Sequence, residues 1–206
     1  MNASRRIHWN DVYGAKHYTD VSWYQAVPAT SLDYILASGI ARHDPVIDIG
    51  GGASTLVDCL IDGAFTDVSV LDVAAGALEQ AKTRLGERAA RVHWIESDVA
   101  DFEPDRTYAV WHDRAAPQFL VDARDTERYV NVLRRALRPG GHVVLATFGP
   151  DGPLRCSGLE IRRYNIAMTR DLLGPGFELQ DHRIEDHGTP GGATQQFLYS
   201  SWTRRG

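Results

Sequence analysis

Asp48-Ile49-Gly50-Gly51-Gly52-Ala53-Ser54-Thr55 is the stretch whose reading decides the fold. Three consecutive glycines stand between an apolar run, Pro45-Val46-Ile47-Asp48-Ile49, and a helix-period stripe of Leu56, Val57, Leu60 and Ile61. Glycine between a strand end and a helix start lets the backbone pass beside a ligand where a Cβ would clash. A second run, Val68-Ser69-Val70-Leu71-Asp72, ends in an acid 20 residues beyond Gly52. A carboxylate at that spacing can accept hydrogen bonds from both hydroxyls of a ribose. Loop and acid together predict a nucleoside site on a strand–helix–strand unit.

Working outward, short apolar runs keep alternating with helical periodicity, the pattern of crossover units around a parallel sheet. Leu78, Ala81 and Leu85 repeat at helical spacing, with Gly86 as the stop. Val92-His93-Trp94-Ile95 reads as a third strand and Tyr108-Ala109-Val110-Trp111 as a fourth. Val130, Leu133 and Leu137 mark a helix that Pro139-Gly140-Gly141 should end, and residues 142–148 give a fifth strand. A Gly/Pro-rich stretch, Gly149-Pro150-Asp151-Gly152-Pro153, leads to a helix over 164–173, and two runs, 177–184 and 195–202, can pair antiparallel at one edge. The fold class is α/β: a doubly wound, Rossmann-like sheet of seven mostly parallel strands with an antiparallel edge strand. One domain over 1–206 is expected, with a helical cap segment (1–44), a core (45–206) and an inserted segment (149–165).

Composition narrows the function. The chain has 206 residues, 22 Lys and Arg against 27 Asp and Glu, a net charge of −5, 43% hydrophobic and 24% charged residues. That is an ordinary globular balance. No apolar run approaches the roughly 18 residues of a membrane span. The opening Met-Asn-Ala-Ser-Arg-Arg-Ile-His-Trp lacks a secretory apolar stretch. A cytoplasmic protein without a membrane partner is expected. The acidic balance opposes nucleic-acid binding, and Arg134, Arg135 and Arg138 read as a helix end. Cys59 and Cys156 are too few for a disulfide framework or a zinc site, and no metal is expected.

The loop also discriminates among nucleosides. A dinucleotide fingerprint wants a glycine where Thr55 stands and an apolar residue where Asp48 stands. Asp48-x-Gly50-x-Gly52 with a later acid instead resembles motif one of the class I S-adenosylmethionine (SAM)-dependent methyltransferases. SAM has no pyrophosphate, and its ammonium and sulfonium favour nearby carboxylates. The resemblance implies SAM as cofactor and S-adenosylhomocysteine (SAH) as product. Gly50, Gly51, Gly52 and Ser54 would form the loop, and Asp72 with Val73 would meet the ribose. Asp98 with Val99 would meet the adenine, although a helix cap is an alternative for Asp98.

A narrower resemblance covers nearly the whole chain. Trp23-Tyr24-Gln25, the loop, Trp111-His112-Asp113-Arg114-Ala115, Cys156-Ser157-Gly158-Leu159, Thr189-Pro190 and Gln195-x-Phe197 carry it. They are similar to a bacterial methyltransferase group distantly related to enzymes that modify lysines of elongation factor and citrate synthase. That group often has His before the Phe-Leu pair; here Gln118 precedes Phe119-Leu120.

Chemistry is expected beyond the carboxyl ends of the strands. His112 and Asp113 are the catalytic candidates; on a continuing strand they point to opposite faces and cannot form a dyad. Arg114, Phe119, Cys156 and Tyr164 are candidates for the acceptor. Trp23 and Tyr24, and less so Trp9, are candidates to face the sulfonium. His182 and His187 do not have metal-site spacing. The reading is methyl transfer to a small-molecule acceptor by a monomer or homodimer. The alternatives are a protein lysine acceptor and a SAM-binding module without catalysis.

Overall fold

The computed structural model describes residues 3–206. Two helices lead, α1 (Ala3–Ala15) and α2 (Ala29–Ala37), followed by β1 (Val46–Ile49), α3 (Leu56–Asp62), β2 (Val68–Asp72), α4 (Ala75–Leu85) and β3 (Val92–Glu96). The second half runs β4 (Tyr108–Arg114), α5 (Ala123–Ala136), β5 (Leu137–Phe148), the two-residue strands β6 (Arg155–Cys156) and β7 (Leu159–Glu160), α6 (Ile166–Leu173), β8 (Phe177–Gly188) and β9 (Thr194–Arg204). The main sheet has seven strands in the order β3-β2-β1-β4-β5-β9-β8. Pairings from β3 to β5 are parallel, whereas β9 runs antiparallel to both β5 and β8. The strand order reverses between β1 and β4, where doubly wound sheets bind ligands at their carboxyl ends.

β1 and β2 are buried along their whole length, as near-continuous apolar runs require when both faces are covered. Side-chain alternation then divides the interior in two. Val46, Val110 and Val144 face one core with Tyr34, Ile35 and Leu60, while Ile47, Trp111 and Leu145 face the other with Tyr129, Leu133 and Leu173. Helix α5 starts on an Asp122 cap that accepts from the Arg124 N–H at 2.7 Å. Gly86 ends α4 at φ +58, a left-handed conformation that a Cβ disfavours.

Two strand boundaries beside the site differ from the sequence expectation. β4 continues through Arg114, so the triad His112-Asp113-Arg114 lies inside the strand. β5 begins at Leu137, and Pro139-Gly140-Gly141 falls within it rather than in a loop; its pairing with β4 shifts register between Tyr108 and Val110. Arg138 therefore lies on β5, where it pairs with Asp44 at 2.9 Å, while Arg134 and Arg135 occupy the last turn of α5.

The leading segment packs over the sheet's carboxyl edge. Asn10 of α1 accepts from the Gly76 N–H at 3.2 Å, and Gln80 donates to the Tyr13 carbonyl at 2.8 Å, so α1 is fastened to α4. Tyr34 of α2 donates to Asp181 of β8 at 2.9 Å. No helix among the described residues is long and apolar enough to cross a membrane.

Leu60 is fully buried in the core beneath α3. Leu60→Ala is expected to lower stability by about 2–5 kcal/mol, read as a reduced urea midpoint with an unchanged slope.

Candidate functional site

Asp48 on β1 and Asp72 at the end of β2 lie almost wholly buried beneath the glycine loop. A Cβ on Gly51 would fall 2.5 Å from Asp48 Oδ2, and one on Gly52 would fall 2.5 Å from Asp72 Oδ2. Gly50 and Gly52 also have φ of +62 and +37. Glycine is thus required twice over, by the left-handed backbone and by its close passage over two carboxyl groups.

Asp48 Oδ1 contacts His112 Nδ1 at 2.7 Å, and His112 Nε2 contacts Ser31 Oγ at 2.8 Å. A neutral ring that donates from Nδ1 to the carboxylate accepts the Ser31 hydroxyl at Nε2. Asp48 Oδ2 has no partner, a buried acceptor left open. Asp72 Oδ1 accepts from the Ala74 N–H at 2.8 Å. Burial pushes the Asp72 carboxyl up to about 7; backbone N–H bonds oppose the rise and the Asp48 charge adds to it.

Two adjoining cavities open around these groups. The first encloses about 810 Å3, part of it open to solvent, and is lined on one side by Gly50, Asp72, Val73, Asp98 and Val99. Its other walls come from Trp9, Tyr13 and Trp23 of the leading segment and from Arg114, Gln118 and Phe119 after β4. Phe148, Cys156 and Phe197 complete it. The second, of about 540 Å3, reaches Ser31, Asp48, Gly51, Ser54, His112 and Tyr24. Tyr13, Trp23, Gly50 and Arg114 line both.

Asp98 caps the short 3-10 turn Val99–Asp101, accepting from the Ala100 N–H at 3.0 Å, which is the cap alternative realised. Its two oxygens also accept from Arg5 Nη1 at 2.8 and 2.6 Å, and Arg5 Nη2 reaches Asp125. Arg5 therefore ties α1 across the wall of the first cavity that Asp98 forms.

The expected opposition of His112 and Asp113 is observed. Asp113, proposed as catalytic, turns away from both cavities into the α5 side of the sheet. There it accepts from Tyr129 at 2.8 Å and from the Ala116 N–H at 3.0 Å. Trp111 Nε1 donates to the same Tyr129 oxygen at 3.1 Å. Burial pushes the Asp113 carboxyl up to about 8, against those two hydrogen bonds. The side chain fixes the bend after β4, where Ala115 has φ +79. Tyr164, expected at the acceptor, is likewise buried and lines neither cavity; its N–H donates to the Phe148 carbonyl at 2.8 Å. Tyr24 and Ser54 reach only the second cavity, and Gly52 shapes the loop without lining either.

Cys156 lines the first cavity, but burial pushes its thiol up, away from the thiolate a nucleophile needs. His187 contacts the Ser22 carbonyl through Nε2 at 2.9 Å, a structural role. Arg5, Tyr13 and Ser31 were not anticipated as site residues. Nothing in the local pattern distinguishes them, because each reaches the site only through the way the leading segment folds back.

Residues 46–141 match the family described as a methyltransferase domain. That match and the relatives below support a class I SAM-dependent methyltransferase. It is 28% identical over 118 residues to a malonyl-[acyl-carrier protein] O-methyltransferase of Paenibacillus, covering 55% of this chain and 42% of that one. Over 105 residues it is 30% identical to the human N-terminal Xaa-Pro-Lys N-methyltransferase 1, covering 48% and 45%. The chain thus spans about half the length of the curated relatives it matches. Its fold is shared with 1,6-didemethyltoxoflavin-N1-methyltransferase of Burkholderia thailandensis, solved with 1,6-didemethyltoxoflavin and SAH. The TM-score is 0.74 at 19% identity, over 98% of this chain and 87% of that one.

The donor set fits SAM, the cofactor of this class: an open buried acceptor on Asp48, a raised carboxyl on Asp72 and a cradle that a Cβ would fill. Gly52→Ala forces the loop or Asp72 to move, and SAH affinity is expected to fall at least about tenfold, a 1.4 kcal/mol loss. Titration calorimetry checks this, with circular dichroism confirming that the fold persists.

Proposed function

We propose that the protein transfers a methyl group from SAM to a small-molecule acceptor held in the first cavity. The observation that supports this reading is that the two-carboxylate cradle opens directly into an aromatic-walled space. Bound SAM supplies an already electrophilic sulfonium methyl. The chain's own residues have three tasks: to bind the cofactor, align the acceptor and keep water out.

In this reading Asp72 accepts the ribose hydroxyls and the free oxygen of Asp48 favours the cationic end of the ligand. Asp98 and Val99 serve the adenine edge, which requires the Arg5 pair to give way on binding. Trp9, Tyr13 and Trp23 exclude water and offer faces that attract a cation by roughly 0.5–2 kcal/mol. His112 has both ring nitrogens engaged, so we assign it the orienting of Asp48 rather than proton transfer from the acceptor. Alignment is the chief catalytic resource, since well-oriented reactants gain up to about 7–11 kcal/mol.

A protein or protein-carried acceptor is suggested by relatives named for N-terminal Xaa-Pro-Lys and for malonyl-[acyl-carrier protein]. Against it, the cavity walls come from the chain's own α1, from Trp23 and from β6, which narrow the approach of a polypeptide. Incubation of a cell extract with radiolabelled SAM separates the two readings. Label in low-mass solutes is expected; label confined to a protein band supports the protein reading, and no transfer at all removes both.

The pH dependence of binding follows from Asp72. A raised carboxyl must lose its proton before both of its oxygens can accept charge-assisted bonds from the ribose hydroxyls. SAH affinity should therefore rise through about pH 7 and level off above it, by up to about tenfold per pH unit on the rising limb. Asp72→Asn should abolish this slope and weaken binding by roughly 1.5–3 kcal/mol. Calorimetry across the pH range reads both effects.

A further inference from the structure

Arg114 at the end of β4 and Gln118 in the bend beyond it each carry a donor that no described residue satisfies. Arg114 donates from Nε to the Tyr199 hydroxyl at 3.0 Å and from Nη1 to the Trp23 carbonyl at 2.9 Å, and its guanidinium lies 4.5 Å from the centre of the Phe197 ring. Its Nη2 is buried without a partner. Every group that holds Arg114 is neutral, and among the described residues it has no ion pair. A guanidinium stays protonated in proteins, so an uncompensated positive charge sits in a largely apolar wall.

Gln118, four residues on, is fully buried and lines the same cavity. Its Oε1 accepts from the Phe148 N–H at 2.9 Å, which fixes the orientation of the amide; its Nε2 has no partner. Unsatisfied buried donors are uncommon, and here two occur within one turn, on one cavity, beside a net charge. That turn is held firmly. Ala115 donates to the Ala146 carbonyl at 2.7 Å and Ala116 to Asp113, which Tyr129 braces from behind.

We propose that Arg114 and Gln118 form an anion subsite for the methyl acceptor, so that the substrate is a small molecule with an apolar, aromatic-compatible body and a carboxylate or comparable oxyanion. This rests on the methyltransferase reading and specifies its substrate class. Arg114 is held by Tyr199 of β9 and by the Trp23 carbonyl rather than by the loop or the β2 and β3 ends, although it borders the second cavity as well as the first. Phe119, Phe148 and Phe197 border the subsite and suit a flat apolar body. A carboxylate supplies both the charge that Arg114 lacks and acceptor lone pairs for Nη2 and Nε2. A site built to satisfy buried donors discriminates strongly against ligands that leave them unpaired.

The test uses the full chain saturated with SAH and a probe series of benzoate, 1-naphthoate and indole-3-acetate, each paired with its neutral amide. Binding is followed by protein-detected NMR of the tryptophan indole signals. At least one acid is expected to bind about tenfold or more tighter than its amide, the ratio for one charge-assisted bond. Arg114→Gln and Gln118→Leu should each reduce that ratio while SAH affinity changes by less than about threefold, and Arg114→Lys should restore part of it. Equal binding of acids and amides, or no acid binding at millimolar concentration, overturns the subsite. A tenfold loss of SAH affinity in Arg114→Gln overturns it too, because the guanidinium would then serve the cofactor's own carboxylate. Failure of the wild-type chain to bind SAH would instead remove the methyltransferase reading beneath it.

Discussion

Two carboxyl groups buried under a glycine loop are the constraint on which the rest of the structure depends. Asp48 and Asp72 sit on neighbouring parallel strands, and the loop crosses so near that a single methyl group at Gly51 or Gly52 would collide with a carboxyl oxygen. Burying one carboxylate without compensation is costly, and burying two close together is more so. The fold offsets that cost in different ways at the two positions. Asp48 has the His112–Ser31 chain, whereas Asp72 has backbone N–H groups and a carboxyl raised towards neutrality. Neither arrangement uses all the acceptor capacity present. A ligand with hydroxyl donors and positive charge completes what the chain leaves open.

Alternation along β4 distributes the remaining roles. His112 and Arg114 face the leading segment, while Trp111 and Asp113 face α5. One strand therefore orients a cradle carboxylate, braces the following bend from behind and presents a cation to the cavity. The leading segment responds to the same strand: Ser31 reaches His112, and the Trp23 carbonyl accepts from Arg114. Fastening that segment to α4 and to Asp98 then closes the site from above.

Much of this could be read from sequence because it depends on local pattern. The triglycine loop, the acid at the end of β2, the crossover periodicity and the antiparallel pairing of the last two strands all follow from short stretches. Asp113 was named beside His112 because local pattern does not decide which of two opposite-facing neighbours enters the pocket; the structure turns its carboxyl to Tyr129 in the opposite core. Tyr164 was expected beside the acceptor on account of its place in the inserted segment, but its side chain is buried and lines neither cavity. Arg5, Tyr13 and Ser31 make contacts across separations of 67 to 93 residues in chain order, for instance Arg5 on Asp98. Such contacts arise from docking of the leading helices and leave no local signature. Gln118 was noticed only as a departure from a familiar pattern; its unpaired nitrogen became visible once the bend around it was in place.

The central claim is that the buried carboxylates and the loop above them form an adenosine cradle. A crystal structure of the full chain with SAH tests it most directly. The account predicts the ribose hydroxyls on Asp72, the adenine beside Val99 with Arg5 withdrawn from Asp98, and the aromatic end of the cavity still free for an acceptor. SAH lodged elsewhere, or bound with Asp72 untouched beneath the loop, would contradict it.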